Sequence, residues 1–343
     1  MPTIDDVLAK LQSEIGDKIV DQPKGKTVSG ITTGSLALDL ALDTGGWPIG
    51  YGTQLVGKKG GGKTTLCVAS CVKAAANGQR AIYFDLEHKT LPELFHGCGL
   101  PEDQLIWLRT DTESVATKVL DALHKVDGPL VILTRLYSGT LALDVLKYAL
   151  LNSMMQLAIV DSVAGITSTV EHDKKSQDQT VAMTARIMSN YLRPLAAPLG
   201  LSECAVVWVN QIREQISTGP YRLPQTSPGG HAMKFWSAII ANIRAISRGK
   251  DGQTSLVKIK ETCLSKPQGK AEIDIIYGKG IDYTRDVFEA AAKLGVISTA
   301  GGWCKFGDLA LGDDRGKDNS LEWLRSQPEL VERIREAAIC KSG

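Results

Sequence analysis

The residues best placed to do chemistry form the run Gly57-Lys58-Lys59-Gly60-Gly61-Gly62-Lys63-Thr64, followed by Thr65, which fits the pattern GxxxxGK[ST]. Glycines at these positions let successive backbone N–H groups turn inward and surround phosphate oxygens, and a helix opening at the end of the loop adds positive potential. In such a loop Lys63 reaches the β- and γ-phosphates and the Thr64 hydroxyl ligates Mg²⁺. The chemistry needs a strand before the loop and a helix after it. Thr53–Val56 reads as the strand and Thr64–Ala76 as the helix. A Gly-rich turn with a chance Lys-Thr is the bland alternative, and the flanking elements weigh against it. Lys58 and Lys59 are extra cations that lean on phosphate or, more simply, stay solvated.

Three further side chains fall where a nucleoside triphosphate would need them. Asp161 ends the apolar run Leu157–Val160, the expected position for an acid that holds the water shell of Mg²⁺. Glu87 lies just past the strand Arg80–Asp85, within FDLEH, where a carboxylate orients the water attacking the γ-phosphate. Asp85 competes for that role, and either acid could instead be a solvated loop residue. Gln211 ends the strand Ala205–Gln211, within VNQIR, where an amide can sense the γ-phosphate. That signal is weak, since many strands end in Asn or Gln.

These residues require a scaffold that gathers strand ends. From Gly34 to about Gly280, strand-like and helix-like stretches alternate, with further strands at Leu105–Leu108 and Leu130–Leu133. The alternation predicts an α/β fold, a mostly parallel sheet with helices on both faces and ligands beyond the carboxyl ends of the strands. LIWLRTDTESVATKVL from Leu105 resembles VILTRLYSGTLALDVL from Val131 at an offset of 26 residues, a strand–turn–helix unit written twice. Shared apolar periodicity alone is the other explanation. Ile4, Val7, Leu8, Leu11 and Ile15 recur at helical spacing ahead of a polar segment from Gly16 to Lys26, and this stripe suits either the chain's own core or a neighbouring subunit. Glu171–Asp178 is polar and irregular, and TGPYRLPQTSPGG from Thr218 reads as a long loop. The expected organisation is an N-terminal helix and linker over 1–30, a core over 31–281 and a small α/β C-terminal domain over 282–343 around GGWCKFGD.

Composition narrows the setting. The 343 residues carry a formal net charge of +1, so any nucleic-acid site must be local rather than a matter of bulk charge. Seven scattered cysteines without a CxxC pair read as reduced thiols of a cytoplasmic protein. The acidic start MPTIDD is not a signal peptide, and no apolar run is long enough to span a membrane.

The order of the motifs carries a resemblance. ITTGSLALDLALDTGGWPIG, the phosphate loop, FDLEH, LAIVDSVAGI, TARIMSNYLRPLA, WVNQIR, PGGHAMKFWSA and IIYGKGID together resemble the bacterial RecA recombinase family, from the first helix to about Arg335. The resemblance implies a RecA-like P-loop ATPase that forms a helical homo-oligomeric filament on single-stranded DNA and exchanges strands with double-stranded DNA. ATP and Mg²⁺ would lie between subunits, and the N-terminal helix would pack on the next protomer. It implies that Glu87 is the catalytic glutamate, with Lys63 and Gln211 beside it, and that Tyr277 lies near the adenine. Residues 171–180 and 214–228 are then DNA-binding loops, and Arg186, Ser189, Arg193, Arg213, Gly229 and Gly230 approach the DNA backbone. Tyr221 in the second loop would stack between bases or stay exposed. The resemblance also implies that Phe235 is an interface residue that couples ATP to DNA binding.

Four departures accompany the resemblance. The repeated unit is additional. Where the family places two lysines that reach the neighbour's ATP, this chain has Glu261 and Cys263, with Lys260 or Lys266 as replacements if the register slips, or K⁺ held in part by Glu261. The adenine-stacking tyrosine falls on Leu94, with Phe95 adjacent, and the chain ends in AAICKSG rather than an acidic tail. A ring-forming helicase on the same fold and a non-catalytic mediator are the competing readings. The loop sequences and C-terminal domain weigh against the first, and Lys63, Thr64, Glu87 and Asp161 against the second.

Overall fold

The structure, a computed structural model, describes Lys10, Ser13 and residues 28–166, 177–211, 230–264 and 269–342, with backbone alone at 177–183 and 230–232. The expected N-terminal helix beyond Lys10 and Ser13, residues 171–176 and 214–228, Arg213, Tyr221, Gly229 and Lys266 lie outside the described residues.

Strands β1 (Gly30–Ile31) and β2 (Trp47–Pro48) pair around helix α1 (Leu36–Leu42) and lead into β3 (Gly52–Gly57). Then follow α2 (Lys63–Ala76), β4 (Ala81–Asp85), α3 (Pro92–Gly97), β5 (Leu105–Thr110), α4 (Glu113–His124), β6 (Val131–Leu136), α5 (Gly139–Leu151) and β7 (Leu157–Asp161). The core continues through α6 (Gln177–Leu201), β8 (Ala205–Gln211), α7 (Gly230–Trp236), β9 (Ile239–Arg248), β10 (Gly252–Thr262), β11 (Lys270–Ile276) and β12 (Gly280–Ile281). Ten strands form one sheet in the order β12-β11-β10-β9-β3-β8-β7-β4-β6-β5. From β9 to β5 every neighbouring pair is parallel, and β10, β11 and β12 add antiparallel strands at the other end.

Two apolar layers sandwich this sheet, because the buried strands carry Val, Ile, Leu and Ala on both faces. On one side Leu38, Leu66, Cys67, Cys71 and Phe95 from α1, α2 and α3 pack on Leu55, Tyr83, Leu133 and Ile159. On the other, Leu120, Leu146, Met188 and Leu195 from α4, α5 and α6 pack on Phe84, Ile132, Val160 and Val206. The central strands are therefore fixed from both faces, and their carboxyl ends form a firm rim.

The repeated unit adds an edge. Among the described residues strand β5 pairs with β6 alone, and its register sets Leu105 against Val131 and Thr110 against Leu136, the same 26-residue offset that relates the two copies in the sequence. Both strands run further than the apolar pattern indicates. The pattern stops at the polar Arg109 and Thr134, while the ladder continues to Thr110 and Leu136. Of the irregular stretch expected over Glu171–Asp178, Gln177 and Asp178 belong instead to α6. Polar residues suit a first helical turn, so composition hides that boundary.

The C-terminal part holds α8 (Tyr283–Lys293), the small sheet β13 (Ile297–Ser298), β14 (Lys305–Phe306) and β15 (Leu309–Ala310), and helices α9 (Lys317–Arg325) and α10 (Pro328–Ser342). Val287, Phe288, Ile297, Leu321 and Ile334 form its core together with Leu36 of α1. Asp286 of α8 fastens it to the start of α1, accepting hydrogen bonds from Ser35 Oγ at 2.7 Å and Leu36 N at 2.5 Å.

Candidate active site

The phosphate loop leaves the centre of the sheet at Gly57 and enters α2 at Lys63. Gly60 and Gly62 adopt φ of 73° and 94°, the left-handed region that glycine tolerates best. A Cβ on Gly57 would strike the carbonyl oxygen of Ile243, and one on Gly62 would lie 2.6 Å from Ile275 Cδ1. Larger residues would close this cradle. Lys63 is buried, and its Nζ donates to the carbonyl oxygens of Gly57 and Lys58, each at 2.9 Å. Burial lowers its pKa, while the nearby Asp161 carboxylate works against that. A buried ammonium beside a glycine-rich turn at the start of a helix is chemically suited to phosphate oxygens. Lys58, Lys59 and Gly60 line the exposed side of the loop, Gly61 is buried and Thr65 half-buried. The guanidinium of Arg248, from β9, donates to Gly60 O at 3.3 Å.

Thr64 and Asp161 meet as a pair. Thr64 Oγ1 donates to Asp161 Oδ2 at 2.8 Å, and Tyr83 OH donates to the same oxygen at 2.6 Å. Burial pushes the Asp161 carboxyl up, against the hydrogen bonds from Tyr83 and Thr64. A hydroxyl and a carboxylate side by side at the loop suit Mg²⁺, which takes one or two protein oxygens and completes its shell with water and phosphate. Among the described residues, no group of three or more His, Cys, Asp or Glu is gathered for a metal ion. That donor set therefore fits a Mg²⁺–nucleotide complex rather than a stand-alone metal.

Beside this pair stands Glu87. Strand β4 lies next to β7, and β7 next to β8, so acids and amides ending these strands converge on one rim. Ser162 Oγ and Gln211 Nε2 both donate to Glu87 Oε1, each at 2.6 Å, and Lys89 Nζ lies 2.8 Å from Oε2. Burial acts to raise the Glu87 pKa, but the hydrogen bonds from Lys89, Ser162 and Gln211 outweigh it and hold the carboxyl below the ordinary glutamate range. It is thus an ionised acceptor at neutral pH. Asp85 is differently placed: it is buried, and its oxygens accept from Lys89 N at 3.1 Å and Thr90 N at 2.9 Å. Asp85 closes the turn that presents Glu87.

Other expected residues fall around this centre. Tyr277 is exposed in the turn after β11, and that turn packs on the end of α3, where a Cβ on Gly97 would strike the carbonyl oxygen of Gly278. Leu94 is half-buried, whereas Phe95 is wholly buried edge-on to Tyr83 with ring centroids 5.6 Å apart. Phe95 is a core residue and is not presented to a base. Arg186, Ser189 and Arg193 lie on one exposed face of α6, while Met188, Leu192 and Leu195 face inward. Gly230 opens α7, on which Phe235 is 83 % exposed. Glu261 and Lys260 end β10 on the surface, and Glu261 Oε1 pairs with Lys234 Nζ at 2.8 Å. Cys263 is exposed nearby.

The sequence reading missed two features. Ser162, buried next to Asp161, drew no notice outside its motif, although a hydroxyl beside a strand-end acid is a readable signal. The second is an outward basic face on the antiparallel strands. The register sets Lys258 beside Asn242 and Lys270, with Arg244 and Lys260 on the same face, whereas Ile243, Val257, Ile259 and Ala271 point into the core. Among the described residues, none of these four cations has a carboxylate partner in an ion pair.

Comparison with known proteins identifies the family. The family described as RecA N-terminal domain matches residues 3–135 and 126–282, two stretches that overlap at the junction between the repeated units. A Protein RecA of Thermus thermophilus is 34 % identical over 350 aligned positions, covering 99 % of this chain and 94 % of that protein. Protein RecA of Symbiobacterium thermophilum is 31 % identical, covering 97 % of this chain and 90 % of its own length. Protein RecA of Halalkalibacterium halodurans is 30 % identical, covering 96 % and 89 %. With the α/β sheet, the phosphate cradle and near full-length similarity all in agreement, this chain belongs to the RecA family of recombinases.

Proposed function

We propose that this protein is a DNA-dependent ATPase that assembles as a helical filament on single-stranded DNA and, within it, pairs and exchanges strands with homologous double-stranded DNA. The observation that carries the reading is the contact of Gln211 Nε2 with Glu87 Oε1 at 2.6 Å. It joins the turn beside the phosphate loop to the strand leading into residues 212–229, so a change at the γ-phosphate is transmitted toward a DNA-binding loop. Residues 1–30 then serve assembly, 31–281 form the motor, and 282–343 an appended domain, and the filament acts in the cytoplasm.

Lys63 and the loop N–H groups hold the β- and γ-phosphates, and Thr64 and Asp161 hold Mg²⁺. When bound, Mg²⁺ neutralises charge that develops on the phosphate oxygens. Glu87 accepts a proton from the attacking water and fixes its direction, while Ser162 and Gln211 fix Glu87. Tyr277 and Leu94 flank the adenine. Arg186, Ser189 and Arg193 meet the backbone of the first strand together with Arg213, Tyr221, Gly229 and Gly230. The outward face of Arg244, Lys258 and Lys270 supports capture of a duplex, because backbone recognition needs a few local cations rather than a basic protein.

The test is ATPase and joint-molecule formation with and without single-stranded DNA. DNA should raise the ATPase rate, and binding should weaken with salt by a slope of about −0.7 per phosphate neutralised. An ATPase rate indifferent to DNA, with no joint molecules formed, would sink the proposal.

Lys234 sets an ammonium against Glu261, with Phe235 exposed on the same helix, and we take this surface as the one that meets a neighbouring subunit. Lys234 and Lys260 are therefore our candidates for the positive charge offered to a neighbour's nucleotide. ATPase should be indifferent to replacing K⁺ by Na⁺. A potassium requirement would instead point to a K⁺ ion at the Glu261 carboxylate.

A further inference from the structure

We infer that Arg135, held in place by Trp107 of the added edge unit, is a positioning residue for the ATPase reaction: it ties together the two ends of the turn that carries Glu87. The inference rests on the reading of Glu87 given above. It also assigns a task to the repeated unit, which the nucleotide site itself does not use.

The turn from Asp85 to Thr90 is tied to β7 at its start, where Leu86 N donates to Asp161 O at 2.7 Å, and it turns back at His88, which sits at a φ of 55°. Its closure depends on Asp85, whose carboxylate accepts Lys89 N and Thr90 N. Such a carboxylate, with 2 % of its side chain exposed, needs a counter-charge. Arg135 supplies it: Nε lies 3.2 Å from Asp85 Oδ2, and the same guanidinium donates to Thr90 O at 2.8 Å. One planar fork therefore grips the first and last residues of the turn, which a point-like ammonium cannot do. The sheet sets this up, since β4 and β6 pair through Phe84 and Thr134 and the next residues on each strand are Asp85 and Arg135.

Trp107 completes the brace. It belongs to β5, and its ring lies 4.8 Å from Arg135 Cζ and 4.6 Å from Arg109 Cζ. Arg109 is registered directly against Arg135, and like charges so placed repel across a strand pair. The electron-rich face of the indole offsets that repulsion and covers Arg135, whose side chain stays 19 % exposed. Without β5, β6 would be the edge of the sheet and Arg135 would lose this cover.

The experiment measures steady-state ATPase kinetics and binding of a fluorescent ATP analogue for the full chain on single-stranded DNA, for wild type, Arg135→Ala, Arg135→Lys, Trp107→Ala and Glu87→Gln. Arg135→Ala should lower kcat by about 10- to 100-fold, the cost of a misplaced catalytic group. The analogue's Kd should stay within about twofold, since Arg135 lies outside the phosphate cradle. Arg135→Lys keeps a charge beside Asp85 but loses the second grip, so its kcat should be intermediate, and Trp107→Ala should show a smaller loss. Backbone hydrogen exchange at Lys89 and Thr90 should quicken in the Arg135 variants. If Arg135→Ala fails to fold, Arg135→Lys and Trp107→Ala carry the test. Wild-type kcat and exchange in those two variants, with Glu87→Gln impaired, would overturn the role of Arg135 and leave that of Glu87 standing. Wild-type kcat in Glu87→Gln would overturn the Glu87 reading itself, and the Arg135 inference with it. In the Glu87→Gln background, Arg135→Ala should bring no further loss. An undiminished additional loss would show that Arg135 acts by another route and overturn the inference.

Discussion

Glu87→Gln should lower the DNA-stimulated kcat by about 10²- to 10⁴-fold, the range for removing a general base, while ATP binding persists. The substitution keeps the size of the side chain, and Ser162 Oγ and Gln211 Nε2, each 2.6 Å away, still find an oxygen to meet. What disappears is the negative charge that takes the proton from water. Since the site still fills with ATP but no longer turns over, the DNA-bound state should persist, and dissociation from single-stranded DNA should slow in parallel with kcat. If Glu87→Gln hydrolyses ATP at the normal rate, Asp85 becomes the candidate. Its three donors, Lys89 N, Thr90 N and Arg135 Nε, make it the less available acid.

Lys63→Ala should remove activity at an earlier step. A hydrogen bond to a charged partner contributes about 1.5–3 kcal/mol, so the affinity for ATP should fall by at least about tenfold and hydrolysis should be lost. The fold should tolerate the change, because among the described residues the ammonium's hydrogen bonds go to the carbonyl oxygens of Gly57 and Lys58, and it is taken from water at a cost that depresses its pKa. Titration with a fluorescent ATP analogue, beside a thermal melt, separates the two effects. Lost binding with an unchanged Tm is expected. Unchanged binding would remove Lys63 from the phosphate site.

Much of this site is legible in the chain because its chemistry is local. The phosphate loop needs glycines and Lys-Thr within eight positions, and Asp161 and Gln211 each end an apolar run that reads as a buried strand. The alternation of elements likewise gives the parallel sheet. Contacts between distant positions are not legible in the same way. Glu87 and Gln211 are 124 residues apart, and their meeting depends on β4, β7 and β8 being neighbours. The roles of Glu87 and Asp85 look interchangeable in the sequence. The turn between them separates the two, with Asp85 inside it and Glu87 facing the loop.

The repeat shows both sides of this limit. The 26-residue offset is visible in the letters, yet that it sets the register of β5 on β6, and so brings Trp107 to Arg135, is a property of the sheet. The basic face is similar. Arg244, Lys258 and Lys270 are unremarked cations in sequence, and only the antiparallel pairing of β9, β10 and β11 puts them on one surface.

The most direct test of the account is electron microscopy of the full chain with single-stranded DNA and a non-hydrolysable ATP analogue. It predicts continuous helical filaments that form with the nucleotide and are absent without it. Closed rings, or isolated protomers under the same conditions, would contradict it.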